Sequence, residues 1–127
     1  MKHKVSEIDG ALLDAAVAMA EGHKVCQLNG VWCSDLYGQW TRVRNMREWR
    51  YVGPIIEREG IAIAPYEHGI GEPSMWVAWV EERQHQATFD SYFERGIFDD
   101  NSRGHTPLIA AMRAFVASKL GEEVELP

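Results

Sequence analysis

The sequence predicts an α+β fold, in which two main helices accompany a small, mainly antiparallel sheet of about four to five strands. Residues 7–21 and 107–120 carry apolar side chains at helical spacing, and a glycine follows each stretch. Asn29-Gly30 separates two runs of β-forming residues, which is a strong hairpin signal. Residues 75–82 alternate as a strand does when both of its faces are largely covered.

The first predicted helix covers residues 7–21. Ser6 followed by Asp9 resembles a capping box, and Gly22 is a favourable residue just beyond the last turn. Gly10 lies near the start of this helix, where it costs about 1 kcal/mol of helix propensity relative to alanine. Its presence predicts that another group approaches the backbone closely at this point.

The hairpin at Asn29-Gly30 places Cys26 directly opposite Cys33 if the turn has two residues. The expected Cα separation is about 4.5–5.5 Å, which lies inside the disulfide range. Two free thiols, which a reducing compartment favours, a disulfide and part of a metal site are the alternatives. A metal would need further ligands, and only His23 is close in sequence.

The middle of the chain is less regular. Residues 34–54 have no clean period, which predicts a long, partly ordered loop or an irregular strand. Pro54 suits the first position of a short helix near 54–59. Residues 61–64 follow as a short buried strand, and residues 87–93 are interpreted as a returning strand, with a helix as the alternative.

The last predicted helix covers residues 107–120. Thr106 is a favoured N-cap, Pro107 suits the first helical position, and Gly121 ends the helix. An extended tail, "EEVELP", follows. The first and last helices are expected to pack on one face of the sheet. The predicted core consists of Leu12, Ala16, Met19, Ile56, Ile61, Ile63, Val77, Trp79, Leu108, Met112, Phe115 and Val116.

Length and composition suit one domain, 1–127. The net charge of −6 argues against broad electrostatic wrapping of nucleic acid, although it leaves room for a local basic patch. The start of the chain lacks the apolar segment of a secretory signal, and no apolar run approaches the roughly 18 residues of a membrane span. These features predict a soluble, cytoplasmic protein without a membrane partner.

Three blocks of sequence carry a resemblance to a known family: "SEIDGALLDAAVAMAEG", "WRYVGPIIEREGI" and "GHTPLIAAMRAFVASKLGEEVELP". Together they resemble the NinX family of tailed phages, small accessory proteins of phages and of proteobacterial prophages. The resemblance implies a phage accessory protein that acts in the cytoplasm of the bacterial host. It implies no reaction, and no catalytic residue can be carried over from the family.

The middle block departs from the pattern of the family, which reads "PSTDW" and then "GGP". This chain has "NMREW" and then "RYVGP", so it keeps Trp49, Gly53 and Pro54. Met46, Arg47 and Glu48 replace small polar residues. If the family binds a partner through that polar turn, this member has altered the binding surface.

This departure from the family pattern lies in the segment that is the strongest candidate for a binding surface. Four arginines lie within the nine residues 42–50, among tryptophans and a tyrosine. This composition is typical of protein-binding hot spots, and it also suits the stacking of bases and the binding of phosphate. The predicted partner-binding residues are Arg44, Arg47, Trp49 and Arg50.

Three interpretations of this segment are open. In the first, the chain is a non-enzymatic protein-binding or regulatory module for a host or phage protein. In the second, residues 40–51 bind nucleic acid. In the third, the segment is a solvated loop whose arginines pair with the acidic surface and whose tryptophans fill the core.

The sequence predicts no catalytic residue, no metal site and no cofactor. The five histidines form no metal-binding spacing, and the paired carboxylates have no nucleophile or base at a meaningful distance along the chain. A small hydrolase or transferase remains a further alternative, which predicts a pocket with converging titratable groups. A homodimer is also possible, because the chain is rich in tryptophan.

Overall fold

The structure is a computed structural model, and it describes residues 1–66, 75–80 and 103–127. Within these ranges it contains three α-helices, which are α1 (Gly10–Ala20), α2 (Trp49–Glu59) and α3 (Pro107–Leu120). It also contains eight strands in antiparallel pairs, which confirms the predicted α+β class. The strands are β1 (Lys2–Lys4), β2 (Val25–Leu28), β3 (Val31–Leu36), β4 (Gln39–Arg42), β5 (Ile61–Tyr66), β6 (Met75–Val80), β7 (Arg103–Gly104) and β8 (Glu123–Glu125).

The described strands form three small sheets instead of the one sheet predicted. A hairpin sheet has the order β2-β3-β4, a central sheet has the order β5-β6-β7, and a terminal ribbon pairs β1 with β8. Helix α2 lies between β4 and β5 in the chain, and these two strands belong to different sheets. The predicted strand at residues 87–93 lies outside the described residues.

The terminal ribbon joins the two ends of the chain. His3 is the register partner of Val124, and the flanking lysines of β1 face the glutamates of β8. Val124 and Leu126 are 2% and 1% exposed. The predicted extended tail is therefore a strand that contributes side chains to the core.

Helix α1 begins at Gly10, three residues later than the capping-box pattern predicts. The side chain of Asp9, not of Ser6, caps this helix and accepts a hydrogen bond from the Gly10 N–H at 2.6 Å. Val5–Glu7 form a separate 3-10 turn, and the buried Ile8 is extended. Burial of Val5 and Ile8 in the core explains why the chain does not continue as one helix from residue 7.

Helix α3 confirms the predicted bounds. The Thr106 hydroxyl accepts a hydrogen bond from the Ile109 N–H at 3.2 Å, and Gly121 follows the last helical residue. Ala110, Ala111 and Ala114 are buried, so neighbouring elements pack close to this helix.

No helix in the described part of the chain combines the length and the apolar character that a membrane crossing needs.

The helices pack differently from the prediction. Helix α3 packs against the central sheet and against α1, whereas α1 packs against the hairpin sheet. They do not share one sheet face, because each helix covers a different sheet and the two helices meet between them. The core forms at this meeting point.

Most of the predicted core is confirmed. Four predicted core residues are partly buried and pack against the core: Leu12, Met19, Ile56 and Ile63. Trp79 is also partly buried. The centre of the buried face of α1 is Leu13, Ala16 and Val17, so the predicted stripe through Leu12 and Met19 lies at its edge. The fully confirmed buried residues are Ala16, Ile61, Val77, Leu108, Met112, Phe115 and Val116.

Candidate functional site

The segment predicted to be a long loop is instead ordered secondary structure. Residues 34–53 contain the end of β3, the strand β4 and the first half of α2. Tyr37 and Gly38 connect β3 to β4 with φ angles of +53° and +82°. Two successive left-handed residues are characteristic of a type I′ hairpin turn. Sequence reasoning missed this turn because tyrosine is an unusual first residue for it.

The first hairpin agrees with its prediction. Asn29 and Gly30 have φ angles of +52° and +78°, and Cys26 is the register partner of Cys33. Both thiols are free. Of the alternatives for this pair, the structure therefore contains two neighbouring thiols.

Helix α2 begins at Trp49, five residues before the predicted start. Pro54 lies inside it, not at its first position. The tertiary structure outweighs the poor helix propensity of Gly53 and Pro54, because Val52 and Ile55 of this helix are 0% and 3% exposed. As a result, Trp49 and Arg50 lie on the first turn of a helix.

Two hydrogen bonds hold the segment that connects β4 to α2. The Val43 N–H donates to the carbonyl oxygen of Trp32 at 3.1 Å, which continues the pairing of β3 with β4. The Met46 N–H donates to the Asp14 carboxylate on α1 at 2.9 Å. The Met46 side chain is 4% exposed and belongs to the core. Met46 therefore anchors the segment from which Arg44 and Arg47 project.

An open groove lies where the hairpin sheet, α1 and the start of α2 meet. Its volume is about 660 Å³. The turn end of the hairpin sheet, the exposed side of α1 and the beginning of α2 supply its walls. The side chains that matter for the chemistry of the groove are Asp14, Trp32, Arg42, Arg44, Arg47 and Tyr51.

Three arginines of this groove have no carboxylate within 4.0 Å among the described residues: Arg42, Arg44 and Arg47. The Arg44 guanidinium carbon lies 5.5 Å from the centre of the Tyr51 ring, in cation–π range. The Arg47 Nη2 atom lies 3.0 Å from the position that a Cβ would occupy at Gly10. The close approach predicted at Gly10 is therefore made by Arg47.

The predicted partner-binding residues occupy two positions relative to the groove. Arg44 and Arg47 line it, whereas Trp49 and Arg50 lie on the first turn of α2, outside its lining. Arg50 forms an ion pair with Glu48 at 3.3 Å, and its guanidinium carbon is 4.7 Å from the centre of the Tyr51 ring.

The Tyr51 ring thus brings Arg44 and Arg50 together. Sequence reasoning did not select Tyr51, Arg42 or Asp14. Arg42 was visible as the first member of the arginine cluster, but Asp14 lies on α1 and no local signal connects it to the groove.

Asp14 is a residue of the groove whose carboxyl has a shifted pKa. Burial of its carboxyl raises the pKa of Asp14 above the ordinary value of 3.8, and the hydrogen bond from Met46 and the charge of Arg47 offset this only in part. Among the described residues, the lining of the groove includes no serine, threonine, cysteine or histidine. The described part of the groove thus offers a carboxyl with a raised pKa but no hydroxyl of serine or threonine, thiol or imidazole beside it for the enzyme alternative.

The exposed apolar side chains point to the same region. Trp40 and Trp49 are 47% and 58% exposed. Apart from Met1, every large apolar side chain that is exposed in the described part of the chain lies on the hairpin sheet, at its turns or at the start of α2. A solvated loop would require the arginines to be paired and these tryptophans to be buried, so that interpretation does not fit this surface.

Metal ligands do not cluster in the described ranges, where no three histidine, cysteine, aspartate or glutamate side chains come close enough to hold an ion together. The predicted alternative of a metal at the cysteine pair therefore gains no further ligand from these residues.

Comparison with known proteins supports the lineage that the three sequence blocks indicate. The sequence model of the family described as bacteriophage P22, NinX, matches residues 4–119. The curated proteins contain no match to the chain. Since the family match covers nearly the whole sequence, the chain belongs to the bacteriophage P22 NinX family of phage accessory proteins.

Proposed function

We propose that this phage protein is a non-enzymatic binding module that captures a host or phage protein through an Arg/Trp platform. The platform consists of Arg44, Arg47, Trp49 and Arg50. The observation that carries the proposal is the 58% exposure of Trp49 on an ordered helical turn, shortly after Arg44 and Arg47, which have no carboxylate within 4.0 Å among the described residues. Tryptophan and arginine are the residues most enriched in the energetic centres of protein interfaces.

The local structure favours binding because it orders the platform before a partner arrives. Met46 anchors the connecting segment in the core, and Asp14 holds the Met46 N–H at 2.9 Å. The Tyr51 ring positions both Arg44 and Arg50. A surface that is ordered in advance loses less conformational entropy on association, so more of its contact energy contributes to affinity.

A capture experiment with matched variants tests the proposal. The tagged wild-type protein and the double variant Arg47→Ala/Trp49→Ala are isolated from cells in which the phage is replicating, and the captured proteins are compared. The double variant should lose the partner while its melting temperature stays within a few degrees of the wild-type value.

Lys24→Ala is the control for the loss of a positive charge. Lys24 is exposed and precedes β2, at the end of the hairpin sheet away from the Asn29-Gly30 turn. This variant should capture the partner normally. Equal amounts of the same proteins on the wild type and on the double variant would contradict the proposal, and untagged copies of the chain itself among them would indicate a homodimer.

Nucleic-acid binding is the second candidate, and it is favoured by Arg42, Arg44 and Arg47, which have no carboxylate within 4.0 Å among the described residues. Guanidinium groups bind phosphate, and the exposed Trp40 and Trp49 offer faces for base stacking. This function predicts that a labelled single-stranded oligonucleotide binds at low salt and that its affinity falls steeply as salt rises. A flat titration at low salt would eliminate it.

A further inference from the structure

We infer that the groove beside the Arg/Trp platform binds a short, extended acidic segment of a protein partner, whose carboxylates pair with Arg42, Arg44 and Arg47. This inference rests on the proposed function, because it names the part of the partner that the groove would hold. It adds Arg42, which the platform does not include.

The first argument is the contrast between these arginines and their neighbours. The chain has 19 acidic and 13 basic residues, so carboxylates are in excess. Arg50 pairs with Glu48 at 3.3 Å, and Arg58 pairs with Glu21 at 3.6 Å and with Glu59 at 3.1 Å. The three groove arginines have no such partner among the described residues, which leaves their guanidinium groups available to an external anion.

The second argument is geometric. The three arginines come from different positions, since Arg42 ends β4, Arg44 lies over Tyr51 and Arg47 passes close to Gly10. All three contribute to one groove. A guanidinium group binds a carboxylate through two parallel N–H···O bonds, so several guanidinium groups around one groove favour a chain that presents carboxylates at intervals.

The third argument distinguishes an acidic peptide from nucleic acid. Asp14 and Glu48 also line the groove, so three arginines against two carboxylates leave a formal charge of +1. That excess suits one or two carboxylates. A duplex presents one phosphate charge for about every 1.7 Å of helix axis, which is far more negative charge than this small positive site can match, whereas a short protein segment can place only a few carboxylates in the groove.

The size and the remaining walls of the groove agree with a peptide occupant. A volume of about 660 Å³ lies within the range of sites that hold small ligands or a few side chains. Trp32 and Tyr51 supply aromatic surface beside the arginines. An extended segment can therefore place carboxylates on the arginines and apolar side chains on the two rings.

Direct binding of a defined probe tests the inference. Fluorescein-labelled hexaglutamate is titrated with the purified full-length protein, and its anisotropy is compared with that of hexaglutamine and of a labelled oligothymidine. Hexaglutamate should bind at least about tenfold more tightly than hexaglutamine. The double variant Arg42→Ala/Arg44→Ala should weaken hexaglutamate binding by about tenfold or more, while Lys24→Ala leaves it unchanged.

Thermal melting of each variant shows whether it is folded, and amide chemical shifts show where the probe binds. On addition of hexaglutamate, the amides of residues 42–45 should shift and those of β8 should not. Equal binding of hexaglutamate and hexaglutamine, unchanged affinity in the folded double variant, or tighter binding of oligothymidine would each overturn the inference.

Failure of this inference can be separated from failure of the proposed function. If Arg47→Ala/Trp49→Ala abolishes partner capture but excess hexaglutamate and Arg42→Ala do not reduce it, the groove is not the acidic-segment site and the proposed function stands. If hexaglutamate binds the groove but Arg47→Ala/Trp49→Ala captures the same proteins as the wild type, the proposed function fails.

Discussion

Met46 shows how a single residue couples the core of this protein to its surface. It stands where the family pattern has a small polar residue, and its side chain is 4% exposed. The Met46 N–H donates a hydrogen bond to the Asp14 carboxylate, and the next residue, Arg47, lines the groove. A residue that departs from the sequence pattern of the family thus acts through packing and hydrogen bonding.

Truncation of Met46 should be costly. Met46→Ala removes buried apolar atoms and leaves a cavity, so the free energy of unfolding should fall by about 2–4 kcal/mol. Met46→Leu conserves volume and should cost less than about 1.5 kcal/mol. Urea denaturation measures both values. A loss below the cost of the leucine variant would show that the side chain is not held in the core.

Asp14 should respond to substitution in two opposite ways. Asp14→Asn keeps an oxygen that accepts from Met46 and removes the partly buried charge, so its stability at neutral pH should equal or exceed that of the wild type. Asp14→Ala removes the acceptor and should cost about 1 kcal/mol because the Met46 N–H loses its partner.

The pH dependence of this comparison has a definite sign. Because the pKa of Asp14 is higher in the folded protein than its ordinary 3.8, the wild type loses stability relative to Asp14→Asn as pH rises from that value through the folded-state pKa. Chemical denaturation of both proteins across acidic and neutral pH measures the difference. A wild type that gains on Asp14→Asn over this range would contradict the direction of the shift.

At the scale of the element, α2 is a helix that tolerates two poor helix formers. Pro54 has no N–H to donate to the carbonyl oxygen of Arg50, and Gly53 has no side chain to restrict the unfolded backbone. The apolar contacts of Val52 and Ile55 outweigh both costs, because they lie in the core cluster. The helix therefore forms where propensity alone would begin it later.

Replacement of these two residues should stabilise the protein. Pro54→Ala restores a donor at an exposed position and should raise the free energy of unfolding by about 1–3 kcal/mol. In the Pro54→Ala background, where no proline ring follows, Gly53→Ala should add about 0.5–1 kcal/mol, since a Cβ there meets no atom within 4 Å beyond its chain neighbours and its own helix backbone. Thermal or urea unfolding measures each change. Destabilisation by Gly53→Ala in the Pro54→Ala background would mean that α2 does not extend back to residue 49.

Across the whole molecule, ion pairs connect the C-terminal ends of the three helices. Glu59 of α2 contacts Lys119 of α3 at 3.3 Å, and Arg58 contacts Glu21 beside α1 at 3.6 Å. Burial acts to raise the pKa of Glu59, but hydrogen bonds from Arg58 and Lys119 outweigh it and hold the pKa below the ordinary 4.5. The ionised form of Glu59 therefore contributes to folding.

This contribution should disappear in acid. Because its folded-state pKa is lowered, Glu59 stabilises the protein above pH 4.5 and loses the effect as pH falls through the folded-state value. Glu59→Gln should thus melt below the wild type at neutral pH and converge with it in acid. Glu57→Gln, on the exposed side of the same helix, is the control. An equal difference at both pH values would exclude Glu59 ionisation as the cause.

Features that depend on residues close together in the chain could be predicted from the sequence. The bounds of α3 follow from a cap, an apolar stripe and a glycine within one stretch of chain, and the Asn29-Gly30 turn fixes which residues face each other across the first hairpin. The family was identifiable for the same reason, because its motifs are continuous blocks. The arginine cluster was equally visible as a candidate surface.

How these elements combine could not be predicted from the sequence and is seen only in the folded protein. Strand β1 pairs with β8 from the opposite end of the chain, and Leu126 is buried. The sequence of the tail alone does not indicate which strand it pairs with. The fold also extends α2 across Gly53-Pro54 and brings Asp14 to the arginines of another segment. These outcomes depend on contacts between residues far apart in sequence, and the burial energy of such contacts outweighs local backbone preference.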